Sequence, residues 1–378
     1  MRIDEYFENV ETTEEHCGYF YSVGETITIA ILGSLCGFRS VRQIQQWARH
    51  GRTAAFLRKH FGIEGVPSYG WMLDLLKIID PKSFNRCFVE WAQGFVAPSG
   101  KPLTLALDGK TIRSTGKMGS YESPLHIVSA HVGELGVTLG QRTADGESNE
   151  IPAVRELIEL LRIEGFMVVA DAMNCQRETA AAIVAKKADR LLSVKDNQKT
   201  LKEDIADYVK DDALRRAMDT AETVEKGHGR VESRTAYSTC DTGWLRGGVA
   251  WANLACVGAI HTRFTGKKGT SDEWHYYISS RALTAEDLLR HARLEWGVES
   301  MHWLLDAHFA EDFCRAEDKN VQQNLNIVRK VALNTVRAYR DKTGGKRPLS
   351  HIMLDCMIDH DALLTLLAST ENAPKHGS

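Results

Sequence analysis

Three acidic residues have the types and positions that metal-dependent phosphoryl transfer requires. Asp108 and Asp171 each follow a short apolar run, in LTLALDG and FMVVADAM, that predicts a buried strand. Glu299 lies in a long stretch with helical periodicity. Mg²⁺ prefers hard oxygen ligands, and two such ions held by shared carboxylates stabilise both the attacking and the leaving oxygen at phosphorus. The trio therefore predicts an enzyme that cuts and joins nucleic acid.

Each of these acids also has an ordinary structural interpretation. Asp108 precedes Gly109, and an Asp-Gly pair often ends a strand in a turn. Asp171 fits a surface role less well, because it ends a buried strand, where ligands of open α/β sheets bind. The acidic stripe of the late helix accommodates Glu295 as well as Glu299, so periodicity alone does not choose between them.

Composition limits the class of protein. The chain has 378 residues, 43% hydrophobic and 26% charged, which is enough for a large core and more than one domain. No apolar run has the length of a membrane-spanning helix, and the acidic amino terminus lacks signal-peptide features, so we expect a cytoplasmic protein without membrane contact. Eight cysteines, none in a CxxC pair, support neither a zinc site nor a disulfide framework. A formal net charge of −3 counts against a protein that simply coats DNA.

The order of predicted elements defines the fold class. Short helices joined by Gly and Pro turns predict a helical domain over residues 1–97, with a boundary at 96–102. Three meandering strands, a helix, a strand, a helix and a strand then predict an α/β (α+β) fold, a mixed sheet flanked by helices. That order is the ribonuclease H-like layout. Its first and fourth strands are neighbours, so Asp108 and Asp171 should lie together.

An insertion interrupts this pattern at about residues 204–275. A polar helix is followed there by the strand-like pieces VESRTAYSTCD, LACVGAIHTRF and WHYYISS, which predict an inserted β-rich subdomain. One long helix at about 284–307 is predicted to carry the late glutamate. The catalytic domain is thus predicted to span 102–345, followed by a helical tail over 346–378.

Polar and basic residues near the proposed carboxylates and in the insertion are candidate contacts to DNA phosphates. Ordinary loop polarity explains most of them equally well, and a satisfied helix histidine is the alternative for His302. The candidates are Lys110, Arg113, Lys195, Asn197, Gln198, Lys199, His228, Arg230, Arg293 and His302.

Seven blocks of the chain, in order between about residues 20 and 340, resemble DDE transposases of bacterial insertion sequences. The branch they resemble includes the H-repeat-associated proteins. The blocks are ALDGKTIRST, VVADAMNCQ, SVKDNQKTL, EKGHGRVESR, YYISS, WGVESMHWLLDAHFAED and QNLNIVRKVALN. The resemblance matches Asp108, Asp171 and Glu299 to the catalytic triad of that family, and so chooses Glu299 over Glu295.

The resemblance implies a fold, a chemistry and partners. The fold is a ribonuclease H-like catalytic domain with an N-terminal helical domain and a β-rich insertion before the catalytic glutamate. The implied cofactor is Mg²⁺, for which Mn²⁺ substitutes, and the implied partners are DNA terminal inverted repeats and target DNA, bound by a homodimer on paired ends within the bacterial nucleoid. Two alternatives remain: a ribonuclease H-like nuclease without transfer activity, and a catalytically inactive DNA-binding remnant.

Overall fold

The structure is a computed structural model whose chain divides into two compact units. It describes residues 3–14, 21–96, 102–116, 124–144, 150–227, 230–266 and 269–370. The first unit comprises Met1–Gly100, Gly109–Ala153 and Glu299–Ser378, and the second comprises Lys101–Asp108 and Val154–Val298. Most of the boundary predicted at 96–102 lies outside the described residues, and the predicted domain limits stay predictions.

The described residues form fifteen α-helices and nine β-strands. The helices are α1 Ile3–Tyr6, α2 Val23–Leu35, α3 Val41–Arg49, α4 Gly51–Phe61, α5 Tyr69–Ile78, α6 Pro81–Gln93, α7 Glu150–Leu160, α8 Arg177–Ala185, α9 Lys199–Lys210, α10 Asp212–Ala217, α11 Ala285–Glu295, α12 Gly297–Phe309, α13 Lys319–Lys342, α14 Leu349–Ile358 and α15 His360–Ala368. The strands are β1 Thr104–Ile112, β2 Leu125–Val132, β3 Val137–Ala144, β4 Met167–Ala170, β5 Asp189–Val194, β6 Asp219–Gly227, β7 Arg230–Thr239, β8 Cys256–Gly266 and β9 Gly269–Ser279.

Side-chain caps define where the amino-terminal helices begin. Ser22, Ser40 and Ser68 each accept a hydrogen bond from a backbone N–H in the first turn of the helix that follows. Asp80 caps α6 in the same way, and Pro81 occupies the first position of that helix.

A parallel core of three strands organises the second unit. The first half of β1 pairs in parallel with β4, and β4 pairs in parallel with β5. The strand order continues as β1-β4-β5-β9-β8-β7-β6, with the last four strands antiparallel. Buried Leu288 and Leu289 of α11 pack with Met167, Val169 and Leu191 of the sheet. The unit is thus a mixed sheet covered by α11.

The first unit is organised around α13. Residues of α13 between Val321 and Val336 are almost all buried, and the helix packs against α2, α5, α6, α14 and β3. β2 and β3 form an antiparallel hairpin, and β1 is the neighbour of β2. Gly136 turns the hairpin with a φ of 63°, in the left-handed region that favours glycine.

These arrangements confirm the predicted ribonuclease H-like mixed sheet, including the pairing of its first and fourth strands. The single helix predicted at about 284–307 is instead two helices, α11 and α12, interrupted at Trp296. Glycine, here Gly297, has low helix propensity, which accounts for the break. The sequence analysis missed β6 because none of the described side chains of this polar strand is buried, so it lacks the apolar alternation that signals a strand.

No helix among the described residues combines the length and the apolar character needed to cross a membrane.

Candidate functional site

Two predicted catalytic carboxylates lie side by side in the second unit. Leu107 of β1 is paired with Ala170 of β4 in the parallel register. Asp108 and Asp171 directly follow this pair in the chain, and both are half-buried. Since neighbouring strands lie about 4.8 Å apart, the two side chains leave the carboxyl end of the sheet as neighbours. The predicted pairing of the first and fourth strands is confirmed, and the role of the two aspartates as a catalytic pair stays a prediction.

Local hydrogen bonds hold Asp171 in place. Its Oδ1 accepts from the backbone N–H of Asn174 at 3.3 Å and from Asn174 Nδ2 at 3.1 Å. These bonds cap the short 3-10 turn at Ala172–Asn174. Asn174 is fully buried, so the orientation of the carboxylate is fixed from within the fold.

Two residues predicted to contact DNA donate hydrogen bonds to the turn that follows β4. Asn197 Nδ2 donates to the carbonyl oxygen of Ala172 at 2.6 Å. Gln198 Nε2 donates to the carbonyl oxygen of Cys175 at 2.9 Å. The segment after β5 therefore braces the segment after β4, and the assignment of both amides as DNA contacts stays a prediction.

The donor set at this sheet edge fits a divalent cation. Mg²⁺ is commonly bound through one or two carboxylates and keeps several waters. Asp108 and Asp171 supply two such oxygen donors, and their half-buried positions leave room for water and substrate oxygens.

A buried polar contact explains the glycine beside Asp108. His126 Nε2 lies 2.9 Å from Glu150 Oε2, and His126 Nδ1 lies 2.8 Å from Thr111 Oγ1. A Cβ at Gly109 would overlap the Glu150 carboxylate and the His126 ring. The sequence analysis missed His126 and Glu150, because nothing in their spacing signals that they meet.

Lys110 is surrounded by three carboxylates of the first unit. Its Nζ lies 2.7 Å from Asp306 Oδ2, 2.7 Å from Glu311 Oε2 and 3.7 Å from Asp312 Oδ1. Within the described ranges, these are the three acidic side chains whose oxygens all approach within 4.8 Å of one another. The ammonium of Lys110 already occupies the position that a cation would take, so this acidic cluster is a poor candidate for the metal site.

Charge and burial shift the pKa values in this cluster. Burial alone would raise the pKa of Glu311, but the charges of Lys110 and Lys330 lower it below its usual value. Burial lowers the pKa of Lys110, but the nearby carboxylates raise it by more, so the pKa is higher than usual. Asp312 has a raised pKa, mainly through burial. Lys110 and Glu311 therefore form a charged pair.

Lys330 extends the polar network into the core of the first unit. Its Nζ donates to Ser129 Oγ and to Gln141 Oε1, both at 2.8 Å. Burial lowers the pKa of Lys330 to about 7. Asn326 Nδ2 donates to Glu311 Oε1 at 2.5 Å. The block QNLNIVRKVALN thus supplies internal partners for the acidic cluster.

The same ion pairs anchor the helix that carries Glu299. Glu299 is exposed in the first turn of α12, two turns before Asp306. Through the pair with Lys110, α12 is attached to the second half of β1, two residues beyond Asp108 in the chain. Whether Glu299 joins the two aspartates stays a prediction.

The remaining basic candidates near the strand ends are exposed. Arg113 and Lys195 both lie at the surface. Lys199 is also exposed, and its Nζ is 3.9 Å from Glu203. Their assignment as phosphate contacts stays a prediction.

The candidates from the insertion and the late helices have different surroundings. Arg293 forms an ion pair with Glu225 of β6 that lowers the pKa of Glu225. His302 is half-buried on α12. His228 lies outside the described residues, as does the side chain of Arg230, whose backbone begins β7.

Comparison with known proteins gives the family. The Transposase DDE domain family model matches residues 99–335, and the DDE_Tnp_1-associated model matches residues 5–92. The chain is 30% identical to "Putative transposase YncI" of Escherichia coli O157:H7, over 90% of this chain and 88% of that protein. It is also 30% identical to "H repeat-associated putative transposase YhhI" of Escherichia coli K12, over 83% and 84% of the two chains.

A comparison with solved structures matches the piggyBac transposase synaptic complex with hairpin DNA. The TM-score is 0.47 at 10% identity, covering 98% of this chain and 81% of that one. From the family models and the relatives, the chain belongs to the DDE transposase family, in agreement with the resemblance in its sequence blocks.

Proposed function

We propose that this protein is the DNA transposase of an insertion sequence, which binds terminal inverted repeats and catalyses metal-dependent strand cleavage and strand transfer. The observation that carries the proposal is the register of β1 and β4, which makes Asp108 and Asp171 neighbours at the carboxyl end of the sheet. Family membership supports the same chemistry.

Three carboxylates have the central roles in this proposal. Asp108, Asp171 and Glu299 would together hold divalent ions, Mg²⁺ or Mn²⁺. Such ions, when bound, supply charge stabilisation to the attacking and leaving oxygens at phosphorus. Asp171 is oriented by Asn174, and the chain beyond Asp108 is fixed by Lys110.

The proposal extends to partners and domains. We infer that residues 1–97 form a helical domain that binds DNA, and that the catalytic domain over 102–345 acts on the terminal repeats and the target. A homodimer on paired DNA ends would let one complex join both ends of the element. Such an enzyme works in the bacterial cytoplasm, on the nucleoid.

A strand-transfer assay tests this proposal. Purified protein is incubated with a labelled terminal repeat, taken from the DNA that flanks the coding region, and a supercoiled target plasmid. Cleaved and joined products are expected with Mg²⁺ or Mn²⁺ and not with Ca²⁺, and both are expected to disappear in Asp108→Asn, Asp171→Asn and Glu299→Gln. Asparagine is preferred at position 171, because alanine would also remove the cap of the following turn, at a cost of about 1 kcal/mol.

Glu295→Gln is the matched control for the late glutamate. It removes the other acid of the acidic stripe and is expected to leave both reactions intact. Loss of activity in Glu295→Gln with activity retained in Glu299→Gln would reverse the assignment. Cleavage without joining would indicate a nuclease, and DNA binding without either reaction would indicate an inactive remnant.

A further inference from the structure

A cleft of about 760 Å³ opens in the first unit. Its walls come from the start of α3, from α5 and from the segment that connects α12 to α13. Its basic lining residues are Arg39, Arg42, Lys77, Arg315 and Arg329. Its acidic lining residues are Asp74, Glu317 and Asp318. The lining is therefore net positive, in a chain whose net charge is −3.

Arg329 is the unusual member of this lining. It lies on α13 with only 5% of its surface exposed. Across the part of the chain that the structure describes, no hydrogen bond or ion pair is made by its guanidinium. A guanidinium is always charged, and burying an unpaired charge is costly. An anion from outside the protein, bound in the open cleft, would compensate this buried positive charge.

One acid of the cleft, Asp318, is already used elsewhere in the fold. Asp318 accepts hydrogen bonds from the backbone N–H groups of Asn320 and Val321, so it caps α13. Arg42, by contrast, stacks at 4.1 Å over the ring of Tyr69, which fixes a second guanidinium at the cleft wall.

An exposed aromatic ring borders the same cleft. Phe313 lines it and is 76% exposed, although phenylalanine is normally found in the core. The lining also includes the apolar side chains of Leu73 and Val321. The cleft lining thus combines apolar side chains with a group of cations.

We propose that this cleft binds an unpaired DNA strand, with a phosphate on Arg329 and its basic neighbours and a base stacked on Phe313. Cations that follow a backbone together with an aromatic ring that stacks a base are the combination that binds single strands. The volume lies in the range of about 300–1,000 Å³ typical of sites for small ligands, which suits a nucleotide or two and not a duplex. The proposal rests on the proposed function as a DNA-processing enzyme.

Stacking on Phe313 is tested by binding a fluorescently labelled oligothymidine of about ten nucleotides to the full chain in EDTA, followed by anisotropy. Phe313→Ala is expected to weaken binding about tenfold, the effect of removing one stacking interaction with a base. Trp71→Ala is the matched control, since Trp71 is an exposed aromatic residue on α5 that does not line the cleft. It is expected to bind as the parent chain does.

Phosphate binding is tested by the dependence of affinity on salt. Lys77→Gln combined with Arg315→Gln should reduce the slope of log affinity against log salt by about 0.7 for each phosphate that the protein no longer neutralises. Lys59→Gln, an exposed cation elsewhere in the first unit, should leave the slope unchanged.

Arg329→Gln separates binding from folding. Because it removes an uncompensated buried charge, it is expected to preserve the melting temperature while reducing oligothymidine affinity at least tenfold. A folded Arg329→Gln chain that binds like the parent would overturn the proposal. So would unchanged affinity in Phe313→Ala, or tighter binding of a duplex that depends on the same residues.

The outcome is independent of the catalytic proposal. Asp108→Asn should bind the oligothymidine normally in EDTA. If the parent chain binds oligothymidine in the cleft but carries out no strand transfer, the proposed transposase function is rejected and the proposed strand-binding cleft stands. If Phe313→Ala chains carry out strand transfer and bind oligothymidine with unaltered affinity, only the proposed strand-binding cleft is rejected.

Discussion

Close polar contacts within the fold, rather than exposed charge, explain which residue types stand next to the proposed active site. Lys110, next but one to Asp108, is compensated by Asp306 and Glu311. Gly109 between them leaves the space that Glu150 and its histidine partner fill. The sequence block that follows Asp108 is thus explained by packing within the first unit.

Gly109→Ala is expected to destabilise the fold by about 1–3 kcal/mol, because the added methyl group overlaps Glu150 and His126. The measurement is the free energy of unfolding in urea. Gly70→Ala serves as the control: its Cβ would meet nothing within 4 Å, and alanine in a helix is more favourable than glycine by up to about 1 kcal/mol. Equal stability of Gly109→Ala and the parent chain would contradict the contact.

Lys330 should make stability depend on pH. Its pKa is lowered by burial to about 7, from 10.5 for a free lysine, with Glu311 opposing and Lys110 reinforcing the shift. Between about pH 7 and 10.5 the unfolded chain then binds more protons than the folded chain, so stability rises with pH.

Urea unfolding of the parent and of Lys330→Met at several pH values between about 6 and 9 measures this effect. The parent is expected to gain stability relative to Lys330→Met above about pH 7, by at most about 1.4 kcal/mol per pH unit. Parallel curves for the two proteins would show that Lys330 keeps an ordinary pKa.

For single residues, the sequence predicts features that depend on neighbouring positions in the chain. Asp108 and Asp171 were found because each ends an apolar run, and their neighbourhood followed from the strand order. The contacts of Lys110 with Glu311 and of Lys330 with Ser129 join residues about 200 positions apart, and neither periodicity nor spacing carries that information. The sequence therefore predicts Lys110 as a DNA contact. In the structure, three carboxylates surround its ammonium group and would compete with a DNA phosphate for it.

Secondary-structure elements near the site are held by a small number of ion pairs. Lys110 joins the second half of β1 to α12 and to the turn that follows α12. α11 and α12 were predicted as one helix because LEWGVES keeps helical periodicity across Gly297, which hides the break at Trp296. The position of Glu299 therefore depends on α12 and its anchor.

Lys110→Met is expected to destabilise the protein by about 3–5 kcal/mol, because it leaves Glu311, only 2% exposed, without its buried partner. The exposed pair of Lys210 with Asp207 provides the control, and Lys210→Met should change stability by less than about 0.5 kcal/mol. If Lys110→Met instead weakens DNA binding with no loss of stability, the lysine is a phosphate contact, as the sequence predicted.

At the scale of the whole molecule, the chain divides into two compact units. Asp108 and Asp171 belong to the second unit and Glu299 to the first. The overall layout was predictable, since the order of strands and helices and the seven family blocks both indicate a ribonuclease H-like fold. The division into two units could not be predicted from the sequence, because it depends on contacts between segments far apart in the chain, such as α13 and the amino-terminal helices.

The most direct test of this account is the position of bound metal in crystals of the protein grown with Mn²⁺ and DNA, located by anomalous diffraction at the manganese edge. We expect manganese between Asp108 and Asp171, with Glu299 as a further ligand. Manganese bound at Asp306, Glu311 and Asp312, or ligated by Glu295 in place of Glu299, would contradict it.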